Sequence, residues 1–198
     1  MIYHGNSLNS IKKKPIKLKI PNKYILFVGR RTGYKNFIFF LESISDLLYK
    51  RQDLYLICAG GGGIQQHERK FFEKMKISEK IIQCDFDDNA LAYLYEKACL
   101  LAFPSLHEGF GIPILEAFGC NCPVVCSNTS SLPEIAKDGA KYFDPRNKQS
   151  ITNALTSVLD NKDLQKDLIS RGKKIEKTYS WRKTAEETYR LYRSIICL

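Results

Sequence analysis

The chain has 198 residues and lacks several features that mark common classes of protein. It contains no uninterrupted apolar run near the roughly 18–20 residues of a membrane-spanning helix. It has three histidines and seven cysteines, and these do not occur in the paired spacings of a zinc site. It also has no internal repeat and no low-complexity segment. These absences argue against a helical membrane protein, a zinc-binding module and a repeat protein.

The composition is typical of one globular domain. Hydrophobic residues make up 44% and charged residues 26% of the chain, and this length can bury one substantial core. Cys58, Cys99, Cys122 and Cys126 lie in or next to apolar segments, which favours reduced, buried thiols in a cytoplasmic protein. The net charge of +10 leaves three interpretations open: a solvated basic surface, attraction to an anionic membrane or ligand, and nucleic-acid binding. The last lacks any recognition motif.

Hydrophobic periodicity predicts an alternation of strands and helices. The predicted strands are residues 24–28, 54–59, 80–83, 100–103, 123–126 and 141–143. The predicted helices are residues 36–49, 67–75, 89–97, 113–118, 148–159, 162–174 and 181–196. This order predicts an α/β fold, a Rossmann-like parallel sheet with helices on both faces. Ligands bind such sheets at the carboxyl ends of the strands.

The segment from Glu108 to Glu116 carries the strongest functional signal. It joins a short strand to a helix with Pro113 in its first turn, so free backbone N–H groups and the positive end of a helix dipole meet there. That arrangement favours phosphate. A carboxylate in the loop and another in the helix can accept hydrogen bonds from hydroxyl groups. The segment therefore predicts a site for a ligand with phosphates and sugar hydroxyls.

Two further segments follow predicted strands. Arg30, Arg31 and Lys35 come after the first strand and could neutralise phosphate. The glycine run 60–63 follows the second strand and is either a loop that approaches phosphate or base, or a flexible turn. As a dinucleotide fingerprint it is weak, because the third glycine position holds Gln65, although Asp85 lies at a suitable distance.

Together these segments resemble the C-terminal, donor-binding domain of retaining, nucleotide-sugar-dependent glycosyltransferases with two Rossmann-like domains (group 1, or family 4 type). The resemblance rests on the E-x7-E pattern of residues 108–116, on the Arg and Lys of residues 28–36, and on residues 122–128 and 131–134. It runs from about Tyr24 to Tyr192. It implies half of a GT-B architecture. It also implies transfer of a sugar from a nucleotide diphosphate sugar to a saccharide or lipid-linked acceptor in polysaccharide biosynthesis, with retained configuration.

The resemblance also implies residue roles. Arg30 and Lys35 would neutralise the donor diphosphate, and Glu108 would contact the donor sugar near its anomeric carbon. Arg31 competes with Arg30, and His107 is either a donor-site neighbour or a loop histidine with a local partner. The remaining donor-binding residues would be Glu116 for the ribose, the backbone N–H groups of Gly109, Phe110, Gly111 and Ile112, and Phe86 and Gly60 near the base.

The resemblance implies no cofactor and no obligatory metal. We expect residues 1–22 to be a linker from an N-terminal acceptor-binding domain, and residues 23–198 to be the donor-binding domain with its C-terminal helices. The expected partners are the donor, the acceptor, that first domain and, peripherally, the inner face of a membrane, but no nucleic acid. Two alternatives remain: an NAD-dependent Rossmann enzyme domain and a non-catalytic regulatory module.

Overall fold

The computed structural model describes residues 2–8, 11 and 20–196. Its sheet has six parallel strands: β1 Lys23–Val28, β2 Leu54–Ala59, β3 Ile81–Cys84, β4 Leu100–Phe103, β5 Val124–Ser127 and β6 Ala140–Phe143. The α-helices are α1 Phe37–Lys50, α2 Gln66–Lys74, α3 Asp88–Lys97, α4 Ile112–Gly119, α5 Leu132–Ala136, α6 Lys148–Leu159, α7 Lys162–Glu176 and α8 Trp181–Ile196. The predicted α/β Rossmann-like class is confirmed.

The strand order places a crevice at the middle of the sheet. The order is β3-β2-β1-β4-β5-β6, so the chain builds outward from β1 in one direction and then resumes at β4 in the other. In the register, Ile25 of β1 lies beside Leu100 of β4. The connections after β1 and β4 leave in opposite directions, and the space between them is where sheets of this kind bind ligands.

The helices cover both faces of the sheet because alternate strand residues point to opposite sides. Leu26 and Leu101 belong to one buried cluster, which α3, α4 and α5 complete. Ile25 and Leu100 belong to the other, which α1 and α6 complete. Burying each large apolar side chain contributes about 1.5–3 kcal/mol. The sheet is therefore a rigid support, and the loops that follow the carboxyl ends of its strands can carry functional residues.

The predicted elements are all present, with ends that differ by a few residues at most. The added α-helix is α5, Leu132–Ala136, which is too short to produce a helical period in the sequence. Short 3-10 helices at residues 33–35, 78–80 and 137–139 were not predicted either. Six cysteines lie in the described part of the chain, and all six are free. Cys58, Cys122 and Cys126 are buried, as predicted, whereas Cys99 is only partly buried.

Residues 2–8 pack against the domain. A Cβ on Gly5 would lie 2.2 Å from the backbone nitrogen of Trp181, so only glycine fits. The Asn6 side chain donates to the carbonyl of Leu115 in α4 at 3.1 Å. The predicted linker, 1–22, also includes residues outside the described ranges, so the domain boundaries stay predictions. Within the described ranges, no helix has the length and apolarity needed to cross a membrane.

Candidate functional site

A lysine and a glutamate meet where the loops after β1 and β4 approach each other. Lys35 Nζ lies 2.7 Å from Glu108 Oε1, and the side chains are only 14% and 12% exposed. The same ammonium group lies 4.8 Å from the ring centroid of Phe103 at the end of β4. An ion pair that is largely shielded from water has a stronger mutual attraction than a surface pair. The structure therefore brings together two of the predicted catalytic residues.

Two serines hold the loop that carries Glu108. Ser130 Oγ donates to the Glu108 carbonyl at 2.7 Å, and Ser131 Oγ lies within hydrogen-bonding distance of the Glu108 and Phe110 carbonyls, at 2.9 and 3.0 Å. Among the described residues, none accepts a hydrogen bond from the N–H groups of residues 109–112. These donors lie at the N-terminus of α4, where the helix dipole favours an anion.

Glycine occupies positions 109 and 111 of this loop for different structural reasons. Gly111 has φ 108°, in the left-handed region, and a Cβ there would lie 3.0 Å from Leu132 Cδ2. Gly109 has no such constraint, because a Cβ there would meet nothing within 4 Å. A groove of about 490 Å³ opens at this loop, lined by residues 108–113 and residues 2–4. Gly109 thus leaves room for a ligand to approach the backbone.

The Phe110 ring packs against aromatic side chains from both ends of the chain. Its centroid lies 4.9 Å from His4, 6.0 Å from Tyr179 and 6.2 Å from Tyr3. The Phe110 side chain therefore packs the loop that follows β4 against the N-terminal segment, residues 2–8. This placement is compatible with the prediction that Phe110 offers its backbone N–H to a ligand.

Glu116 lies one turn into α4, after residues 112–115. Its Oε2 accepts a hydrogen bond from the Tyr95 hydroxyl at 2.9 Å. Burial raises the pKa of the Glu116 carboxyl, and the nearby Asp88 raises it further, while the Tyr95 hydrogen bond opposes the shift. The net direction is upward. Glu116 is thus a half-buried acceptor with one oxygen already held.

The two adjacent arginines have different environments. Arg31 is buried, and its Nε donates to Glu68 Oε1 at 2.7 Å. Its guanidinium also donates to the carbonyls of Gly60 and Gly62, at 3.0 and 2.9 Å. Arg30 is exposed and has no hydrogen-bond or ion-pair partner among the residues that the structure describes. Arg31 is therefore committed to the glycine loop, and Arg30 is the one available to an anion.

The glycine run 60–63 follows β2 and curves back over the β1 loop. Gly60, Gly61 and Gly62 all have positive φ, and a Cβ on Gly61 would lie 2.8 Å from the Gly29 carbonyl oxygen. The Phe86 ring covers Gly60, with Cε1 at 3.2 Å from the ideal Cβ position. A dinucleotide fingerprint belongs in the turn after β1 instead. The location of the run therefore weakens the NAD interpretation.

Asp85 and Asp87 flank Phe86 with the Asp-x-Asp spacing of some metal sites. Asp87 caps α3 by accepting from the Ala90 N–H at 2.8 Å, and Asp85 accepts from Gln83 Nε2 at 3.0 Å. Over the described ranges, no three His, Cys, Asp or Glu side chains converge as metal ligands. His107 is exposed, and its Nδ1 lies 3.2 Å from Ser130 Oγ, so it has a local partner.

The predicted site residues thus form two neighbouring groups. One group contains Lys35, Glu108, the 109–112 backbone and Glu116; the other contains Gly60 and Phe86, beyond β1. Arg30 lies beside the second group, with its Cα 3.3 Å from the ideal Cβ position of Gly61. Sequence reasoning missed the supporting residues Tyr95, Ser130 and Glu68. Only Glu68 had a local signal, since its Oε2 accepts from the Gln65 N–H at 2.7 Å in a Gln-x-x-Glu capping arrangement.

Solved structures share this fold. The sucrose-phosphate synthase of Thermosynechococcus elongatus superposes with a TM-score of 0.81, covering 99% of this chain and 52% of that chain at 21% identity. The fold is thus one half of a GT-B architecture, a Rossmann-like domain of the kind found in glycosyltransferases.

Sequence comparison shows the family. The family model for glycosyl transferases group 1 matches residues 10–175, and the chain belongs to that family. It is 38% identical over 106 residues to the O-antigen chain mannosyltransferase B of Escherichia coli, covering 54% of this chain and 28% of that protein. It is 30% identical over 189 residues to an E. coli serotype-specific mannosyltransferase, covering 92% of this chain and 23% of that protein. The chain thus spans about half or less of the proteins it matches.

Proposed function

We propose that the chain is the donor-binding domain of a glycosyltransferase that moves a sugar from a nucleotide diphosphate sugar to a saccharide or lipid-linked acceptor, with retained configuration. The main support is the meeting of Lys35 and Glu108 beside the N-terminus of α4, at the switch point of the sheet. A cation and free N–H groups suit a diphosphate, and the carboxylates of Glu108 and Glu116 suit sugar hydroxyls.

The chemistry follows from the leaving group. When the bond to the sugar breaks, negative charge grows on the nucleoside diphosphate. Arg30, Lys35 and the 109–112 N–H groups would stabilise that charge more in the transition state than in the ground state. In the free domain Lys35 pairs with Glu108, so a bound diphosphate would share the ammonium group with that carboxylate. Glu108 would then hold the sugar hydroxyls next to the reacting carbon.

The partners are proposed on the same basis. With these cations at the diphosphate, we expect no cofactor and no obligatory metal. Two of the relatives are named mannosyltransferases, so nucleotide-linked mannose is the first donor to test. The acceptor would bind mainly to the remainder of a two-domain enzyme, and turnover needs both reactants in one cleft.

A ligand panel tests the proposal. Thermal unfolding of the domain is measured with uridine and guanosine diphosphates, their mannose and glucose conjugates, and NAD, each with and without a chelator. We expect at least one diphosphate or sugar conjugate at 100 times its Kd to stabilise the fold by about 2.7 kcal/mol, with no effect of NAD or chelator. Stabilisation by NAD alone would support the dinucleotide alternative. No stabilisation by any nucleotide would support the non-catalytic module.

A further inference from the structure

We propose that Tyr95 is a positioning residue that fixes the Glu116 carboxylate in the orientation that receives the ribose diol of the donor. This inference rests on the proposed function, because it assumes that Glu116 holds a ribose. It assigns a role to a side chain that makes no contact with the ligand itself.

The buried Tyr95 hydroxyl is hydrogen-bonded to one of the two Glu116 carboxylate oxygens. The side chain is fully buried on α3, and its hydroxyl donates to Glu116 Oε2 across the α3–α4 contact at 2.9 Å. Glu116 itself is only partly buried. Its other oxygen, Oε1, accepts no hydrogen bond from the described residues. A buried tyrosine therefore holds one oxygen of the carboxylate, and the other oxygen remains available.

A held carboxylate suits a cis-diol better than a mobile one. Each carboxylate oxygen has two lone-pair positions, so Oε2 can accept from Tyr95 and still accept from one hydroxyl, while Oε1 accepts from the other. A glutamate without the tyrosine would have to lose rotamer freedom when the ligand binds. Tyr95 removes that loss from the binding step by fixing the side chain in the free domain.

The hydrogen bond from Tyr95 also affects the ionisation of the Glu116 carboxyl. Burial and Asp88 raise the pKa of Glu116, and the Tyr95 hydroxyl opposes them by donating to the charged form. Tyr95 and Asp88, the two groups that act on the Glu116 carboxyl, both lie on α3. Diol binding requires the ionised carboxylate, so affinity rises as pH rises through the Glu116 pKa. Loss of the hydroxyl would move that rise to higher pH.

Titration calorimetry of the domain tests the proposal with UDP, GDP and their 2′,3′-dideoxy analogues. The variants are Tyr95→Phe, Glu116→Gln and the double variant, with Tyr24→Phe as the matched control. Tyr24 is also fully buried, but its hydroxyl donates to the Leu94 carbonyl at 2.7 Å. We expect Tyr95→Phe to weaken ribonucleotide binding about 5–10-fold, the effect of one hydrogen bond, and to leave dideoxy binding within about 2-fold.

Two further results are expected. The double variant should bind no more weakly than Glu116→Gln, because Tyr95 acts through Glu116. The pH midpoint of the ribose-over-dideoxy preference should rise in Tyr95→Phe, stay in Tyr24→Phe and disappear in Glu116→Gln. If Tyr95→Phe does not fold, 3-fluorotyrosine at position 95, a stronger donor, should lower the midpoint.

The contrary outcomes are distinct. Equal losses for ribose and dideoxy ligands, additive effects in the double variant, or an unmoved pH midpoint would overturn the role of Tyr95. If the unsubstituted domain bound neither UDP nor GDP nor any donor in the panel above, the proposed function would fail, and this inference with it.

Discussion

At the residue scale, the site contains two ion pairs, one that supports the glycine run and one that lies in the proposed ligand crevice. The Arg31–Glu68 pair is 2% and 3% exposed, and Arg31 also holds the glycine run. The Lys35–Glu108 pair is more accessible, at 14% and 12% exposed, and lies in the crevice. Burial by itself would raise the pKa of Glu68, but the Arg31 contact and the Gln65 N–H lower it overall. The stability linked to Glu68 is therefore present at neutral pH and lost as pH falls through its lowered pKa.

Arg31→Ala should destabilise the domain. The substitution leaves Glu68 as a buried carboxylate without its cation, which costs about 3–5 kcal/mol. Urea unfolding at neutral pH measures the loss. Asp53→Asn is the control, because the Lys23–Asp53 pair is 62% exposed on both sides and should contribute little to stability. Equal, small losses in both variants would mean that Arg31 does not support the glycine loop.

At the element scale, the junction between β4 and α4 combines two requirements. The backbone must turn sharply into the helix, which Gly111 allows by its positive φ. It must also leave the helix N-terminus open, which Gly109 allows by having no side chain. Ser130 and Ser131, at the start of α5, hold the loop carbonyls from the other side. Fold and site therefore use different atoms of the same loop.

Gly109→Ala and Gly111→Ala should separate these requirements. Gly111→Ala places a Cβ at positive φ and against Leu132, so we expect a loss of about 1–3 kcal/mol in unfolding free energy. Gly109→Ala meets nothing in the free domain, so unfolding should stay within about 0.5 kcal/mol while nucleotide-sugar binding weakens. Urea unfolding and calorimetry of both variants measure this. The opposite pattern would place the ligand away from this loop.

At the scale of the whole molecule, the parts that depend on local patterns could be predicted from the sequence. Strands such as Leu54–Ala59 and helices such as Lys148–Leu159 follow from apolar periodicity, and the order of elements then indicates a parallel sheet. Contacts between distant residues could not be predicted. Tyr95 reaches Glu116 across 21 residues, Arg31 reaches Glu68 across 37, and Trp181 Nε1 donates to Ser7 Oγ across 174. Such long-range pairs produce no repeating pattern in the sequence from which they could be predicted.

The candidate site shows the same division. Glu108 and Glu116 could be found because their spacing falls across one strand–loop–helix junction. The resemblance favours Arg30 over Arg31, and the fold adds a physical reason, because the Arg31 guanidinium is occupied by the carbonyls of Gly60 and Gly62. The Lys35–Glu108 contact joins the ends of two strands that are adjacent only in the folded sheet. Topology, rather than spacing, assembles the site.

The central claim is that a diphosphate binds at the crevice between β1 and β4, and one measurement tests it most directly. Calorimetry compares UDP and GDP with uridine and guanosine for the unsubstituted domain, Arg30→Ala and Lys35→Ala, at low and high salt. Each substitution should weaken diphosphate binding about 10-fold or more, the effect of a charge-assisted hydrogen bond. Nucleoside binding should not change, and the loss should shrink as salt rises. Unchanged diphosphate affinity in both folded variants would contradict the account.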